Sequence, residues 1–541
     1  MTSITAHPIL TCESSMQLEE ALLAGDPDST REAMECAGRG IGRAVLNDYL
    51  EYAPLPATPR ILVLAGKGHN GGDAMIAAET IRQHHQTAQI TLLLSSRESE
   101  LRPLVSEVYE RLKDSAVAVY CAEENAWQND ILGHVPFHIC LDGWLGMQFR
   151  PPLRENMAGW LRSLNEDASI DLRAAVDLPS GVAQGVDEMA FRADFTYAAG
   201  IPKKPLFEAP AQSWVGRVRY VDIGFFDVSP ETNYHGGESA TGSSQPPTNP
   251  YWLGASSLKA WSDWRPVHRD KRHYGKVGIF AGSESMPGAA LMSALAALHA
   301  GAGLVTVFVP RSIHAALAAQ APEAMWVPLD ADDDSDPMRQ LQTIQSYLGR
   351  LDLLLMGPGL GRSETTQMIL CELIRLANTR LVLDADALTP LALDAMQKRR
   401  SEGSITLTPH HGELLRLMKE GRGGQATSST QKIEDDLLIE KAQQWGCQLL
   451  LKGPITRITN GEKLVYDCSG SPVLARGGSG DILSGMLAAS LAPPRESEFD
   501  ALCLGSLWHG LAAERLARTR GQRAVRTTEL LDYLAPVLRD F

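Results

Sequence analysis

Short runs of consecutive apolar residues alternate along the chain with longer segments of helical periodicity, such as GDAMIAAETIRQHH. In the first half the apolar runs are 60–66, 88–96, 117–122, 138–143, 174–181 and 193–200. In the second half they are KVGIFAG, GLVTVFVP, LDLLLMGPG, TRLVLDADAL, SITLTPHH and CQLLLKGP. Continuous apolar strands separated by helices are typical of parallel sheets that are covered on both faces. We therefore predict α/β folds in both halves, with ligands bound where the strands end.

The segment 231–249 interrupts this alternation. It is rich in Gly, Ser, Thr and Pro and has no apolar periodicity, which is typical of a linker. It separates residues 1–230 from residues 250–541, and each part is long enough to bury its own core. We predict two domains joined by this linker.

Composition excludes several classes of protein. Hydrophobic residues make up 44% of the 541 residues and charged residues 21%, so the chain is globular rather than disordered. The net charge of −15 argues against a nucleic-acid or anionic-membrane partner. The eight cysteines form no CxxC pair, and the uncharged stretch 288–310 is broken by AGAG into a short helix and a strand. We expect a cytoplasmic homo-oligomer without a membrane or nucleic-acid partner.

The first strong strand leads into a glycine-rich turn and a helix. Gly66, Gly68 and Gly71 match GxGxxG, a pattern that lets a phosphate approach a helix N-terminus. A dinucleotide oxidoreductase is the first interpretation. However, the next strand ends in Ser95 and Ser96, where an acidic residue would be expected to bind the ribose.

Polar side chains accompany this turn and also follow two later strands. Asn70 and Asp73 lie in the turn, Asp142 closes the strand HICLD, and Asp177 and Ser180 follow the strand in AAVDLPSG. Each alone is commonly a turn residue or helix cap. Together, at strand ends of one sheet, they can converge on one hard cation or one ligand.

The motifs GKGHNGGDA, LDGWLGMQFRPPL and AVDLPSG, preceded by STREAMECAGRGIGRAV, resemble the NAD(P)H-hydrate epimerase domain over nearly all of residues 17–228. The resemblance implies a Rossmann-like three-layer fold. It also implies a K⁺ ion held by Asn70, Asp142 and Ser180. The residues that it implies for binding the hydrated dinucleotide are His69, Asn70, Gly71, Gly72, Asp73, Gly146, Met147, Gln148, Phe149, Arg150, Pro151, Pro152 and Asp177.

The second half has its own strand-end chemistry. His410 follows a strand with Glu413 opening the next helix, and Lys452 lies at another strand end. The loop ARGGSGDILSG places consecutive glycines and Asp481 before a helix, and no GxxxxGK[ST] P-loop occurs in the sequence. Such a loop can offer several backbone N–H groups to an anion, with the aspartate as a base beside it. A histidine at this position is also commonly a helix cap.

The motifs RHYGKVGIFAGS, PGAALMSALAALHAGAG, GPGLG, LVLDADAL, TPHHGE, LKGP and ARGGSGDILSG resemble the ADP-dependent NAD(P)H-hydrate dehydratase domain, which has a ribokinase-like fold, over nearly all of residues 255–540. The resemblance implies hydrate contacts from Ala289, Gly359, His410 and Asp481, with Asp481 as the catalytic base. It implies that ADP, with Mg²⁺ on its phosphates, is bound by Lys452, Gly453, Pro454, Ile455, Thr456 and Gly480.

Together the two resemblances imply a multifunctional enzyme, an isomerase and a lyase, that repairs hydrated NADH and NADPH. Its first domain would interconvert the R and S hydrates at C6, and its second would dehydrate the S form with ADP, giving NAD(P)H, AMP and phosphate. Two alternatives remain open from the residues alone. One is a ribokinase-like small-molecule kinase fused to a Rossmann domain. The other is a dehydratase whose N-terminal domain binds a ligand without catalysis, since His69 and Ala74 replace residues that are usually Asn and Gly in the epimerase family.

Overall fold

A computed structural model describes residues 4–123, 127–133, 136–185, 189–226, 249–262, 265–329, 337–419 and 433–541. The chain divides into two compact units. The first unit is His7–Asn249, and the second combines the residues up to Ala6 with Pro250–Phe541. All of the predicted linker except Asn249 lies outside the described residues, so the linker stays a prediction.

The first unit is built on a parallel sheet. Its strands are β2 (Arg60–Ala65), β3 (Gln89–Leu94), β4 (Ala118–Cys121), β5 (Phe137–Gly143), β6 (Ile170–Val176), β7 (Phe195–Ala199) and β8 (Arg217–Val221). Their order in the sheet is β4-β3-β2-β5-β6-β7-β8, and every adjacent pair is parallel. This is the order of a Rossmann sheet, whose direction of winding reverses between its first and fourth strands, here β2 and β5. The predicted Rossmann-like fold is confirmed.

Helices cover both faces of this sheet because its strands are apolar on both sides. Ile61 and Val63 of β2 belong to one buried cluster, and Leu62 and Leu64 belong to another on the opposite face; all four side chains are fully buried. The helices of this unit are α1 (Cys12–Leu23), α2 (Pro27–Tyr49), α3 (His69–His84), α4 (Pro103–Lys113), α5 (Trp127–Ile131), α6 (Glu155–Glu166) and α7 (Gln212–Val215).

The second unit has a larger, mixed sheet. Its strands are β1 (Ala6–Pro8), of which Ala6 belongs to this unit, β9 (Tyr251–Leu253), β10 (Lys276–Phe280), β11 (Leu304–Pro310), β12 (Met325–Leu329), β13 (Leu353–Met356), β14 (Arg380–Leu383), β15 (Ile405–Leu407), β16 (Gln448–Leu451), β17 (Thr456–Thr459) and β18 (Leu464–Asp467). Among the described residues the order is β1-β9-β18-β17-β16-β15-β14-β13-β10-β11-β12. The strands from β16 to β12 along this order are parallel, whereas β17 pairs antiparallel with both of its neighbours.

The helices of the second unit are α8 (Pro287–His299), α9 (Arg311–Ala318), α10 (Pro337–Leu348), α11 (Glu364–Leu376), α12 (Pro390–Gln397), α13 (His411–Lys419), α14 (Asp435–Trp445), α15 (Ser479–Leu491), α16 (Glu498–Arg520) and α17 (Leu534–Leu538). The predicted helix and strand within 288–310 are confirmed as α8 and β11. No helix among the described residues has the length and apolar character needed to cross a bilayer. Helices α8 and α15 approach closely, since a Cβ on Gly485 would lie 2.2 Å from the Ser293 carbonyl oxygen.

Candidate active sites

The carboxyl ends of neighbouring strands gather the predicted polar residues of the first unit at one edge of its sheet. Strand β2 leads into the turn before α3, Asp142 lies at the end of β5, and Asp177 directly follows β6. Because β2, β5 and β6 are parallel neighbours, their carboxyl ends point the same way. His69 and Asn70 begin α3 at this edge.

Two glycines of the turn are sterically required. A Cβ on Gly66 would lie 2.1 Å from the Trp144 carbonyl oxygen, and one on Gly71 would lie 2.1 Å from the Gly66 carbonyl oxygen. Gly68, which caps α3 in an extended conformation, has open space at the same position. Gly66 and Gly71 therefore close the turn, while Gly68 leaves room beside the helix N-terminus, where backbone N–H groups favour an anion.

The three predicted K⁺ ligands are linked by hydrogen bonds. Ser180 donates from its N–H to Asp142 Oδ2 and from its hydroxyl to Asp142 Oδ1, both at 2.7 Å. The Leu145 N–H donates to Ser180 Oγ at 2.8 Å, and the Asn70 amide donates to the Leu145 carbonyl oxygen at 2.6 Å. Asp142 is fully buried, and burial raises its pKa to about 6, with the hydrogen bonds from Ser180 and Trp144 opposing the rise.

A second group of charges lies beside this network. Lys203 is 1% exposed, and its ammonium donates to Asp177 Oδ1 at 2.6 Å and lies 3.9 Å from Glu19 Oε1. Burial opposes the Lys203 charge, but Asp177 and Glu19 outweigh burial and raise the pKa of Lys203. Asp73 Oδ1 is buried without a hydrogen-bond partner. Burial, then the charges of Asp177 and Glu19, raise the pKa of Asp73 well above its usual value. Asp177 itself has a left-handed φ of 62°.

The predicted dinucleotide loop after β5 packs on the start of α3. A Cβ on Gly146 would lie 3.3 Å from Asn70 Cβ, and the Phe149 N–H donates to the Gly146 carbonyl oxygen at 2.9 Å. Arg102 donates to Gln148 Oε1 at 3.1 Å, which brings a cation to the rim of the site. The remaining predicted residues continue the same segment: Met147, Arg150, Pro151 and Pro152.

Lys203, which lies four residues after the end of β7, has a role that the sequence analysis did not assign. We expect Lys203→Met to destabilise the first unit by about 3–5 kcal/mol, because it leaves the Asp177 carboxylate buried without its cation. Urea unfolding measures this. The neighbouring Lys204 is exposed, and Lys204→Met serves as the matched control with an expected change within about 0.5 kcal/mol. Equal effects of the two substitutions would contradict a buried ion pair at Lys203.

In the second unit, the predicted residues follow adjacent parallel strands. Gly359 comes after β13, His410 after β15 and Lys452 after β16, with β14 between β13 and β15 in the sheet. A Cβ on Gly359, which has a φ of +60°, would lie 2.7 Å from Ala289 Cβ. The two predicted hydrate contacts Ala289 and Gly359 are therefore adjacent.

His410 is the helix cap that the sequence left open as an alternative. Its Nδ1 accepts from the Gly412 N–H at 3.0 Å, while Glu413 Oε2 accepts from the His410 N–H at 2.8 Å. The imidazole is nevertheless 59% exposed. A backbone bridge pairs His410 with Lys452, so the cap holds the ring at the site's edge. His410 Nε2 lies 3.4 Å from Glu413 Oε1, and the exposed part of the ring is the surface that we assign to substrate contact.

Asp481 lies in the first turn of α15, directly after the glycine-rich loop. Gly478 caps this helix with a φ of +92°, and Ser293 Oγ of α8 donates to the Asp481 carbonyl oxygen at 3.1 Å. A Cβ on Gly480 would lie 3.6 Å from Lys452 Nζ. Burial, then the charge of Asp384, raise the pKa of Asp481 to about 6, and Lys452 opposes them. The other predicted nucleotide residues form the turn into β17: Gly453, Pro454, Ile455 and Thr456.

Asp384 is the second residue without an assigned role in the sequence analysis, although its motif LVLDADAL was recognised. It follows β14 directly, is 1% exposed and accepts from Lys452 Nζ at 2.6 Å. The criterion that selected Lys452, a charged residue directly after an apolar strand, would also have selected Asp384.

Comparisons with known proteins cover both halves. A family model described as NAD(P)H-hydrate dehydratase matches residues 277–536, and one described as YjeF-related protein N-terminus matches residues 30–205. A bifunctional NAD(P)H-hydrate repair enzyme from Moorella thermoacetica is 31% identical over 90% of this chain and 88% of the relative. Another from Gloeobacter violaceus is 30% identical over 99% of each chain.

Some solved structures resemble about half of this chain. An ADP/ATP-dependent NAD(P)H-hydrate dehydratase from Bacillus subtilis, co-crystallised with ATP/Mg²⁺, is 26% identical and covers 53% of this chain and 97% of its own, with a TM-score of 0.44. A ribokinase-like superfamily protein from Enterococcus faecalis is 25% identical over 53% of this chain and 95% of its own, with a TM-score of 0.44.

The identity and coverage of the two full-length relatives decide the family. Both span the two units in one chain, in the order that the motifs predicted, and the mostly parallel sheet of the second unit agrees with the predicted ribokinase-like fold. The family predicted from the sequence is confirmed. The chain belongs to the family of bifunctional NAD(P)H-hydrate repair enzymes.

Proposed function

We propose that this chain repairs hydrated NADH and NADPH with its two units acting on the same substrate in turn. The first unit is the epimerase and the second is the ADP-dependent dehydratase. The observation that carries this proposal is that each unit brings its own set of polar residues to the carboxyl ends of neighbouring parallel strands. Its substrates are small molecules, the two hydrate epimers and ADP.

Epimerisation requires the C6 hydroxyl to leave and return. The ring nitrogen beside C6 pushes the hydroxyl off, and an acid must protonate the departing oxygen so that it leaves as water. Burial and the charges of Asp177 and Glu19 raise the pKa of Asp73 well above its usual value, which favours its acid form, and we assign to Asp73 the supply of that proton and its recovery when water adds again. Beside Asp73, the Asp177 carboxylate is paired with the Lys203 ammonium at 2.6 Å.

The predicted K⁺ site fits the side chains that are present. Asn70, Asp142 and Ser180 offer amide, carboxylate and hydroxyl oxygens, and no cationic side chain among the described residues acts on the buried Asp142 charge. A bound K⁺ would supply positive charge that offsets this carboxylate. Among the residues described, no group of three or more His, Cys, Asp and Glu side chains could hold a metal ion, so the proposed site depends on mixed oxygen ligands.

Dehydration needs a better leaving group than hydroxide. Asp481 takes the proton of the C6 hydroxyl, and the freed oxygen attacks the terminal phosphorus of ADP, which releases AMP. The backbone N–H groups before α15 stabilise the charge on the transferred phosphoryl group. The ring nitrogen then expels phosphate from C6, and loss of a proton from C5 to water forms the C5–C6 double bond of the reduced nicotinamide. Mg²⁺ bound to the nucleotide phosphates would neutralise part of their charge.

The predicted nucleotide contacts, Lys452–Thr456 and Gly480, and the hydrate contacts, Ala289, Gly359 and His410, complete this assignment. Gly359, His410 and Lys452 follow β13, β15 and β16, and a Cβ on Gly480 would lie 3.6 Å from Lys452 Nζ, which supports this assignment. The cytoplasmic location and the homo-oligomeric state stay predictions.

One assay tests the function directly. Each purified hydrate epimer is incubated with the protein, ADP and Mg²⁺, and the recovery of the reduced-nicotinamide absorbance is followed. We expect full recovery from the S form at once and from the R form at a rate set by epimerisation. Recovery from the S epimer without recovery from the R epimer would exclude an active epimerase. A stable phosphorylated product with no recovery would favour the kinase alternative.

We expect the two units to fold and act separately when the chain is cut within 231–249. Each has its own sheet and buried clusters. The fragment that begins near residue 250 lacks residues 4–6, and the Thr5 N–H donates to Ser257 Oγ at 2.8 Å in the full chain. We therefore expect the edge of its sheet at β9 to be less stable than in the full chain. Adding residues 1–8 back as a fused strand is the control for that loss. Two insoluble fragments would contradict the boundary.

A further inference from the structure

The Asp384 carboxylate joins three strand and helix elements behind the dehydratase site. It lies at the end of β14, accepts from Lys452 Nζ after β16 at 2.6 Å, and accepts from Ser484 Oγ of α15 at 2.5 Å. The same Ser484 hydroxyl lies 2.8 Å from the Gly480 carbonyl oxygen. One buried carboxylate therefore contacts both a cation and, through Ser484, the helix that carries Asp481 in its first turn.

The backbone around Asp384 is held in an unusual conformation. Ala385 has a left-handed φ of 50°, which a residue with a side chain rarely adopts. A Cβ on Gly357 would lie 1.7 Å from the Asp384 carbonyl oxygen, so only glycine fits there. Strained backbone conformations that the surrounding structure maintains are often found at functional sites.

The charges around Asp481 come from several elements. Asp384 and Asp386 follow β14, and Lys452 follows β16. Asp386 is engaged elsewhere, since it accepts from the Gly361 N–H at 3.0 Å and from Arg362 Nε at 3.1 Å. Asp384 and Lys452 are therefore the opposing charges whose balance acts most directly on Asp481.

Further charges act on Lys452 itself. Burial opposes the ammonium, but Asp384, then Glu413 and Asp481, outweigh burial and raise the pKa of Lys452. His509 is buried beneath the same region, and burial lowers its pKa to about 4, so it is neutral near pH 7 and adds no competing charge. Lys452 thus stays an ammonium, and Asp384 is its closest partner.

We infer that Asp384 is a positioning residue of the dehydratase: its carboxylate holds the Lys452 ammonium and the Ser484 hydroxyl so that Asp481 is presented as the base. The inference rests on the proposed role of Asp481. A structural ion pair would predict only a loss of stability when Asp384 is changed. A positioning role predicts that the ionisation of Asp481 changes as well.

The test is the pH profile of kcat/KM for the S hydrate between pH 5 and 8, at saturating ADP and Mg²⁺. Because the base is active when deprotonated, the wild-type value should rise with pH through about 6 and then level off. Asp384→Asn keeps the size of the side chain but removes its negative charge, so the rise should move down by about one pH unit. The plateau should fall about 10-fold or more, because the lysine and the helix turn lose their common anchor.

Lys452→Met keeps the test decisive if Asp384→Asn fails to fold. It removes the cation that favours ionised Asp481, so the rise should move up by about one pH unit, opposite to Asp384→Asn. Asp467→Asn is the matched control, since Asp467 is also a buried carboxylate of this unit and accepts from the Ser469 and Ser506 hydroxyls. It should lower stability without moving the profile.

The outcomes separate this inference from the proposed function. A wild-type profile with no rise near pH 6 would overturn the role of Asp481 and this inference with it. A wild-type rise that neither Asp384→Asn nor Lys452→Met moves would overturn this inference alone. Opposite shifts in the two variants, with an unmoved Asp467→Asn profile, would establish it.

Discussion

Asp481→Asn should lower kcat for dehydration by about 10²–10⁴-fold while ADP still binds. The carboxamide cannot accept the proton of the C6 hydroxyl, and Asp481 is the carboxylate at the start of α15. The backbone N–H groups before that helix do not depend on this side chain, so the anion site remains. Calorimetric titration with ADP and the absorbance assay on the S hydrate measure the two effects.

The control for this substitution is an aspartate in the first turn of another helix. Asp500 occupies that position in α16 of the same unit, where its N–H donates to the Ser497 hydroxyl. Asp500→Asn removes the same charge from a comparable place, and we expect its turnover to match the wild type. Near wild-type turnover of Asp481→Asn would exclude Asp481 as the base.

Asp142→Ala should slow epimerisation sharply and leave dehydration of the S hydrate unchanged. The carboxylate lies at the centre of the proposed K⁺ site, where it accepts two hydrogen bonds from Ser180, whereas the dehydration chemistry lies in the other unit. The rate of R-to-S conversion, measured with and without K⁺, should lose its dependence on K⁺ in the variant.

A purely structural Asp142 would give a different result. As a lost turn cap, the substitution would cost about 0.5–2 kcal/mol of stability, and the folded fraction would keep its epimerase rate and its K⁺ dependence. Asp194 is the control at the opposite edge of the sheet, where its carboxylate accepts from the Arg173 N–H at 2.8 Å just before β7. Asp194→Ala should leave the K⁺ dependence intact.

The sequence was sufficient for β2 to β7, for β10, β11 and β13 to β16, and for the motifs that follow them, but it did not predict β1, β8, β9, β12, β17 and β18. Gly66 and Gly71 illustrate why, since their need for a tight turn is local and can be recognised from spacing alone. The position of Asp384 directly after an apolar strand could be recognised from the sequence, but its pairing with Lys452, like that of Lys203 with Asp177, depends on the order of the strands in the sheet. The Lys452–Asp384 contact joins residues 68 positions apart, and the Lys203–Asp177 contact requires β6 and β7 to be adjacent.

The dual nature of His410 shows a second limit. A histidine after a strand and three residues before a glutamate fits both a helix cap and a ligand contact, and the pattern has no means of choosing between them. The structure gives the cap through Nδ1, places Nε2 3.4 Å from Glu413 Oε1 and leaves the side chain 59% exposed. Its contact with the hydrate stays a prediction.

The assignment of residues 4–6 to the second unit has a consequence for the order of synthesis. Thr5 leaves the ribosome 252 residues before its partner Ser257. At roughly 5–20 residues per second, this interval lasts on the order of 10–50 s, which is long compared with the folding time of a single domain. The epimerase unit can therefore fold before β9 and Ser257, which residues 4–6 contact in the second unit, have been synthesised. Residues 4–6 therefore reach their final contacts only after the whole of the first unit has been synthesised.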